Sequence, residues 1–334
     1  MNRPREEHFV GCLVGLAVGD ALDLLVGGAP PALRKQYADS YLRRGRSFQD
    51  PGPGLTKGQY AAATQFAREL LSLVTESGRL EWPQLAGRIA ELTRRGELVS
   101  EELGTRTAAA LLAEGIAWEM AGSGTVAPES SPAARAVVLG LLFGDDDDLL
   151  VKAARVQAFM THQNPRRGHA AAVAAGLAAR ALHAHEVDGR AWLVQTLAAA
   201  ETSAEDGRRE AESSLEWLGV MGREFLDVHP RWSASRRRQA DAPQLAPILW
   251  GLHAFLLHPD DLWEAVLAAL AMGEGAGAVA GALAGARHGI TGVPEAVVVQ
   301  LNDHGRWRTA DLEALARSCF LLRSAAATSA SSSV

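Results

Sequence analysis

Residues 58–68 read GQYAAATQFAR. Tyr60, Thr64 and Gln65 carry hydroxyl and amide groups of the kind that hold ligands. Between them Ala61, Ala62 and Ala63 present only methyls. An oxygen-donor site needs side-chain oxygens, because helix carbonyls are already engaged in the helix's own hydrogen bonds. The flanks thus have the composition of a site whose middle lacks the chemistry. Other reactive-looking groupings carry less. Gly273-Glu274-Gly275 with Ala278 imitates a dinucleotide fingerprint. The preceding LWEAVLAALAM is helical in character, so the strand that such a turn requires is missing. Asp145–Asp148 precede LLVKAARV, where acidic residues suit a helix N-terminus better than a cation site. His183 and His185 stand two residues apart and diverge on a helix instead of chelating. Neither G-x-S-x-G nor H-E-x-x-H occurs.

The elements that would position these residues are helices. Ala and Leu dominate, and the β-branched and aromatic residues that mark strands are sparse. Residues 58–74 are expected to form one helix with Phe66, Leu70, Leu71 and Val74 as its apolar stripe. Residues 167–185 form a second, central one. Residues 262–286 form a long buried stretch, or two helices meeting at the glycine cluster. Breaks are expected at 27–31, 50–54, 121–132, 163–165 and 228–243. Two glycine ladders recur every fourth residue, Gly11-Gly15-Gly19 and Gly273-Gly277-Gly281-Gly285-Gly289. That period keeps glycines near one helical face, where backbones approach closely or leave room for a ligand. Trp232, Trp250 and Trp263 are expected as core or rim aromatics. The expected architecture is all-α, a single-domain orthogonal multi-helix bundle over residues 1–324, with a disordered tail over 325–334.

Composition narrows the partners. The chain has 334 residues, 48% of them hydrophobic, which is ample for a large core. A net charge of −6 and no basic stripe interleaved with aromatics disfavour nucleic acid; Arg236-Arg237-Arg238 reads as a solvated face. Two distant cysteines, Cys12 and Cys319, fit neither a disulfide scaffold nor a zinc site. The polar start MNRPREEH is unlike a signal peptide, and the apolar runs are broken by charges or glycine. A cytoplasmic protein with no membrane partner is expected.

Read in order, four segments resemble the ADP-ribosylglycohydrolase family, the relatives of the dinitrogenase-reductase-activating glycohydrolase. GCLVGLAVGDALDLLVGG is similar to the family's opening G-x-x-x-G-x-A-x-G-D-A-L-G. GQYAAATQ lies over its W/Y-T-D-D-T-Q. ARAVVLGLLF with the later THQNP is similar to M-R-x-A-P-L-G-L-L followed by T-H-x-x-P. GALAGARHGITGVPE is similar to G-A-L-A-G-A-x-x-G-x-x-x-I-P. The resemblance spans roughly residues 8–300. It implies an all-α fold with a dinuclear magnesium site built from T-D-D-T-Q and a D-x-D-T motif before G-A-L-A-G.

Residue by residue, the resemblance implies that this centre is lost. The ligand Thr and both Asp of the first motif fall on Ala61, Ala62 and Ala63. In the second motif the positions are Met272, Glu274 and Gly275, and an acidic position of the opening segment falls on Gly27. Only Glu274 keeps a carboxylate, and one carboxylate does not hold two Mg²⁺ ions against hydration. Asp20 matches the Asp of G-D-A-L-G, to bond backbone amides near a helix end or to act in catalysis. His162 matches the family's T-H, as a nucleotide contact or as a cap or core residue. Arg135 matches M-R, to grip phosphate or to brace the core. The family's G-N-G-A-A-M-R loop lies over Glu129–Arg135 without its glycines, and Ser123 and Gly124 are candidates to substitute.

The leading expectation is a pseudoenzyme that acts by binding, without Mg²⁺. Its ligand set is His162, Arg135, Tyr60, Thr64, Gln65, Ser123 and Gly124. Its partner is an ADP-ribose-like ligand, an ADP-ribosylated protein or another protein. One alternative is metal-independent hydrolysis of an ADP-ribosyl or other glycosidic bond with Glu274 and Asp20 as catalytic groups. The other is a purely structural or interaction protein with a closed cleft, Met272 filling space where an Asp once faced water.

Overall fold

The computed structural model describes residues 4–125, 129–183, 185–200, 245–273 and 275–331. Its centre is a pair of antiparallel helices, α1 (Glu6–Val26) and one near the other end of the chain (Ala276–His288). The two glycine ladders meet there. Gly11, Gly15 and Gly19 face Gly285, Gly281 and Gly277, so close that a Cβ at any of the first three would overlap the opposing carbonyl oxygen. Each glycine costs roughly 1 kcal/mol against alanine in a helix, so the gain from this backbone contact must exceed that. α1 is long and apolar enough to cross a membrane, but its apolar stretch is 83% buried inside this protein. The glycine contact, with neighbours on its other sides, makes it a core helix here.

The remaining helices wrap this pair. In chain order after α1 they are α2 (Pro31–Tyr37), α3 (Ala62–Ser77), α4 (Trp82–Arg94), α5 (Leu103–Ala113), α6 (Trp118–Ala121), α7 (Ser131–Ala134), α8 (Val137–Phe143) and α9 (Asp147–Phe159). Then come α10 (Pro165–His183), α11 (Gly189–Ala200), α12 (Ala246–Leu257), α13 (Leu262–Met272), α14 (Ala276–His288), α15 (Glu295–Gln300) and α16 (Thr309–Ser331). α10, α12 and α13 pack on α14, while α3 and α16 pack on α1. Among the described residues there is no strand, only three isolated bridges. The fold is all-α.

The boundaries follow local chemistry. The helix expected from residue 58 starts at Ala62, because residues 58–60 are pinned in an extended run. Tyr60 N donates to Asn302 O at 3.3 Å and Asn302 N donates to Gly58 O at 3.0 Å. Its apolar stripe, Phe66, Leu70, Leu71 and Val74, is buried as the periodicity requires. The 262–286 stretch is two helices. Gly273 is extended and Gly275 has φ +74°, a left-handed conformation that ends one helix and starts the next. Asp146 caps α9, accepting from Leu149 N at 2.9 Å, so the acidic run is a helix start. Trp250 and Trp263 are buried. α16 runs to Ser331, which replaces the tail expected from residue 325 with helix. The break at 228–243, Trp232 and Arg236–Arg238 lie outside the described residues.

Candidate functional site

Three helix ends converge beside the last turn of α1. Asp20, on α1, spends one carboxylate oxygen on the start of α3. Its Oδ2 accepts from Ala61 N at 2.9 Å, Thr64 N at 2.9 Å and Thr64 Oγ1 at 2.7 Å. This is an N-cap supplied from another helix, since Ala61 at the cap position has no oxygen to offer. Burial pushes the Asp20 carboxyl up to about 6, with the three hydrogen bonds pulling the other way. Of the two roles open to Asp20, the geometry displays the amide-bonding one. Thr64 is fully buried in the same contact.

One helical turn on, Asp23 does the same for α14. Its Oδ2 accepts from Ala278 N at 3.2 Å, while its buried Oδ1 has no hydrogen-bond partner. Burial first, and the nearby Asp20 charge as well, push this carboxyl up to about 8 against hydrogen bonds from the Ala278 and Gly275 amides. Met272 ends α13 in a small apolar cluster with Trp250, Ala254, Ala269, Ala276 and Ala280. A Cβ on Gly273 would overlap the Trp250 ring. The second motif's position at 272 is therefore packed with carbon. Glu274 lies outside the described residues. Gly27 offers its carbonyl to the buried Arg34.

His162 and Arg135 belong to one buried relay. Arg135 Nη2 donates to Thr161 Oγ1 at 2.5 Å, and Thr161 Oγ1 lies 2.8 Å from His162 Nδ1. His162 Nε2 lies 2.5 Å from Glu129 Oε2. With a proton on Nε2, His162 donates to Glu129. Burial alone would raise the Glu129 carboxyl, but hydrogen bonds from His162 and the Gly104 and Thr105 amides outweigh it and hold it low. Arg135 also donates to Gln157 Oε1 at 2.6 Å and stacks 4.1 Å from the Phe66 ring centre. Complete burial lowers its guanidinium to about 9. It braces the core through an amide, a hydroxyl and a ring. Ser123 pairs its backbone with the 161–163 segment, with Ser123 N to Thr161 O at 2.8 Å and Gln163 N to Ser123 O at 2.9 Å. Gly124 beside it has open space where a side chain would be.

The amides of Ser130 and Ser131, in the segment over which the family's G-N-G-A-A-M-R lies, have an internal acceptor. Glu102 Oε1 takes Ser130 N at 2.6 Å, Ser131 N at 2.9 Å and Ser130 Oγ at 3.2 Å. A carboxylate of the chain thus sits where backbone N–H groups would otherwise meet an anion.

Tyr60 and Gln65 join a different cluster from Asp20. Gln65 Nε2 donates to Asp303 Oδ1 at 2.9 Å and to Glu97 O at 2.8 Å, and its Oε1 accepts from Val99 N at 2.9 Å. Tyr60 Oη donates to Trp307 O at 3.0 Å. The structure therefore brings together Asp20 with Thr64, and His162 with Arg135, but directs Tyr60 and Gln65 to the 302–307 turn.

The donor set does not fit a dinuclear magnesium centre. Ala61, Ala62 and Ala63 offer no side-chain oxygen, and Met272 offers sulfur, a poor partner for a hard cation. Among the described residues no group of three or more His, Cys, Asp or Glu is placed to hold a metal ion. Two carboxylates that sequence reasoning missed, Asp23 and Glu102, now hold the site together. Asp23 had a signal: in GDALDLL it stands three residues after Asp20, on the same helical face, where the family pattern has glycine. Glu102 had none, because its partners lie 28 and 29 residues away.

No curated protein matches this chain. A solved structure described as an ADP-ribosylglycohydrolase-related protein complex shares its fold, with a TM-score of 0.65 and 24% identity over 96% of this chain and 99% of that one. The profile of the family described as ADP-ribosylglycohydrolase matches residues 1–329, and with the four segments and the all-α architecture in agreement, the chain belongs to that family.

Proposed function

We propose that this protein keeps the ADP-ribosylglycohydrolase scaffold without its metal-dependent hydrolysis and acts by binding. The observation that carries the reading is the state of the α3 start. Asp20, matching the family's acidic residue, caps Ala61 and Thr64, and the three ligand positions beside it are alanines. A Lewis-acid step needs oxygens that hold the ion, and the caps direct the remaining carboxylates to backbone amides instead. The surface left for recognition is the segment around the exposed Gly124, to be reached by an ADP-ribose-like ligand or an ADP-ribosylated protein. The test is release of ADP-ribose from an ADP-ribosylated arginine substrate by the purified protein. No release above background is expected with Mg²⁺ or with EDTA. Mg²⁺-stimulated turnover overturns the proposal.

A second reading, an interaction protein with a closed cleft, is favoured by two contacts: Met272 packed against Trp250, and Glu102 seated on the Ser130 and Ser131 amides. Thermal unfolding with ADP-ribose separates the two, since a ligand bound only by the native state raises its stability by mass action. An equal upward shift in Mg²⁺ and EDTA supports binding. No shift in either supports the closed cleft.

A further inference from the structure

Away from Asp20, between α3, α4 and the 302–307 turn, lies a cleft of about 270 Å³ to which nothing above assigns a role. Its floor is Arg68, only 1% exposed, with Nη1 at 2.5 Å from Asp303 Oδ2 and Nη2 at 2.7 Å from Glu69 Oε1. The Arg68 guanidinium lies 4.8 Å from the centre of the Trp307 ring. Leu92 and Trp307 supply apolar wall, and the rim carries Arg95 and Arg306.

The turn that presents Trp307 is held in an unfavourable conformation. His304 has φ +50° and Trp307 φ +44°, a region that a bulky side chain rarely adopts. Several bonds hold it there: His304 N to Gln59 Oε1 at 2.8 Å, Gly305 N to Asn302 Oδ1 at 2.7 Å, and Tyr60 Oη to Trp307 O at 3.0 Å. Strain that its surroundings over-determine concentrates at functional sites. Here its result is an indole laid over a buried guanidinium at the cleft wall.

Charge decides the ligand. Four arginines and four carboxylates line the cleft, so the lining is electrically balanced. The Arg68 group is buried and committed. The rim is not: Arg95 pairs with Glu91 at 2.7 Å and Arg306 with Glu97, and both arginines are more than half exposed. Such exposed pairs are weak, so they exchange partners readily. A carboxylate entering between Arg95 and Arg306 releases Glu97, while Glu91 keeps Arg94 at 2.5 Å. A phosphate dianion would leave Glu97 unpaired beside a second negative charge. A plain cation would strand the arginines. A ligand bearing one carboxylate and one ammonium satisfies both halves.

We propose that this cleft binds a free zwitterionic α-amino acid. The carboxylate lies on Arg95 and Arg306, the ammonium on Glu97, and the side chain against Leu92 and Trp307. The proposal stands independently of whether the α3 start performs any hydrolysis.

The experiment is isothermal titration of the intact protein with each proteinogenic L-amino acid. The best binder is then repeated as its N-acetyl derivative and as its methyl ester, with inorganic phosphate and AMP alongside. Saturable binding by at least one amino acid is expected, weakened about tenfold or more by blocking either end and by Arg95→Ala combined with Arg306→Ala. Both replaced side chains are exposed, so the double variant is expected to melt like the parent. Arg317→Ala, on α16 with partners Glu6 and Glu313, is expected to bind like the parent. Three results overturn the proposal: no binding by any amino acid, arginine-dependent binding of phosphate or AMP alone, or amino-acid binding that survives the double substitution.

Discussion

Replacing Asp23 by Asn tests the electrostatics of the α1 end most directly. The native carboxyl is pushed up to about 8 from an ordinary value of 3.8, so the folded state holds its proton more tightly than the unfolded chain does. Between those two values the unfolded chain has released the proton and the folded protein has not. Folding stability therefore falls as pH rises from about 4 to about 8. A full shift of about four units corresponds to an upper bound of roughly 6 kcal/mol, and residual solvent contact brings the expected loss nearer 2–4 kcal/mol. Asn has the shape of the protonated acid and keeps an acceptor for Ala278 N, but does not titrate. At pH 4, where the unfolded chain has only begun to ionise this group, the variant should match the parent to within about 1 kcal/mol. At pH 8.5 it should be more stable by about 2–4 kcal/mol, or several degrees in Tm. Thermal or urea unfolding at both pH values reads this out. Parallel pH profiles for parent and variant would refute the reasoning, because Asp23 would then be no more tightly protonated in the folded state than in the unfolded one.

Other consequences follow from the same packing. Gly281→Ala drives a methyl into the Gly15 carbonyl and should cost about 2–4 kcal/mol by denaturant melts. Gly87→Ala on the open face of α4 should instead gain about 0.5–1 kcal/mol in the same assay. Asp20→Ala removes the acceptor for three donors at the α3 start and should lower stability by about 1–3 kcal/mol, measured by urea unfolding at pH 7. Ala62→Asp with Ala63→Asp puts two carboxylates into positions only 2% and 4% exposed beside Asp20. The pair should destabilise the protein, with calorimetric titration showing no Mg²⁺ binding.

Sequence alone determined the helical class, the family and the absence of side-chain oxygen at residues 61–63. These are properties of residue type and spacing. Alanine at 61–63 lacks side-chain oxygen in any fold, and glycine every fourth residue marks a close-packed helix face wherever it is placed. Sequence also located Asp20, His162 and Arg135, because the motifs around them are local. What those side chains touch was decided only by the tertiary structure. Asp20 caps a helix 41 residues away in sequence, and Asp23 one 255 residues away. Such contacts depend on the glycine ladders of α1 and α14 bringing helix ends together, which no local window encodes. Tyr60 and Gln65 stand beside Thr64 in sequence, yet partner a turn more than 230 residues on. Their direction was set by an extended start pinned to Asn302, not by helical period. The start of α3 and the tail were misjudged for related reasons. Long-range backbone pairing shortened the helix at 58–61, and helix propagation through an alanine-rich segment lengthened the one at 325–331.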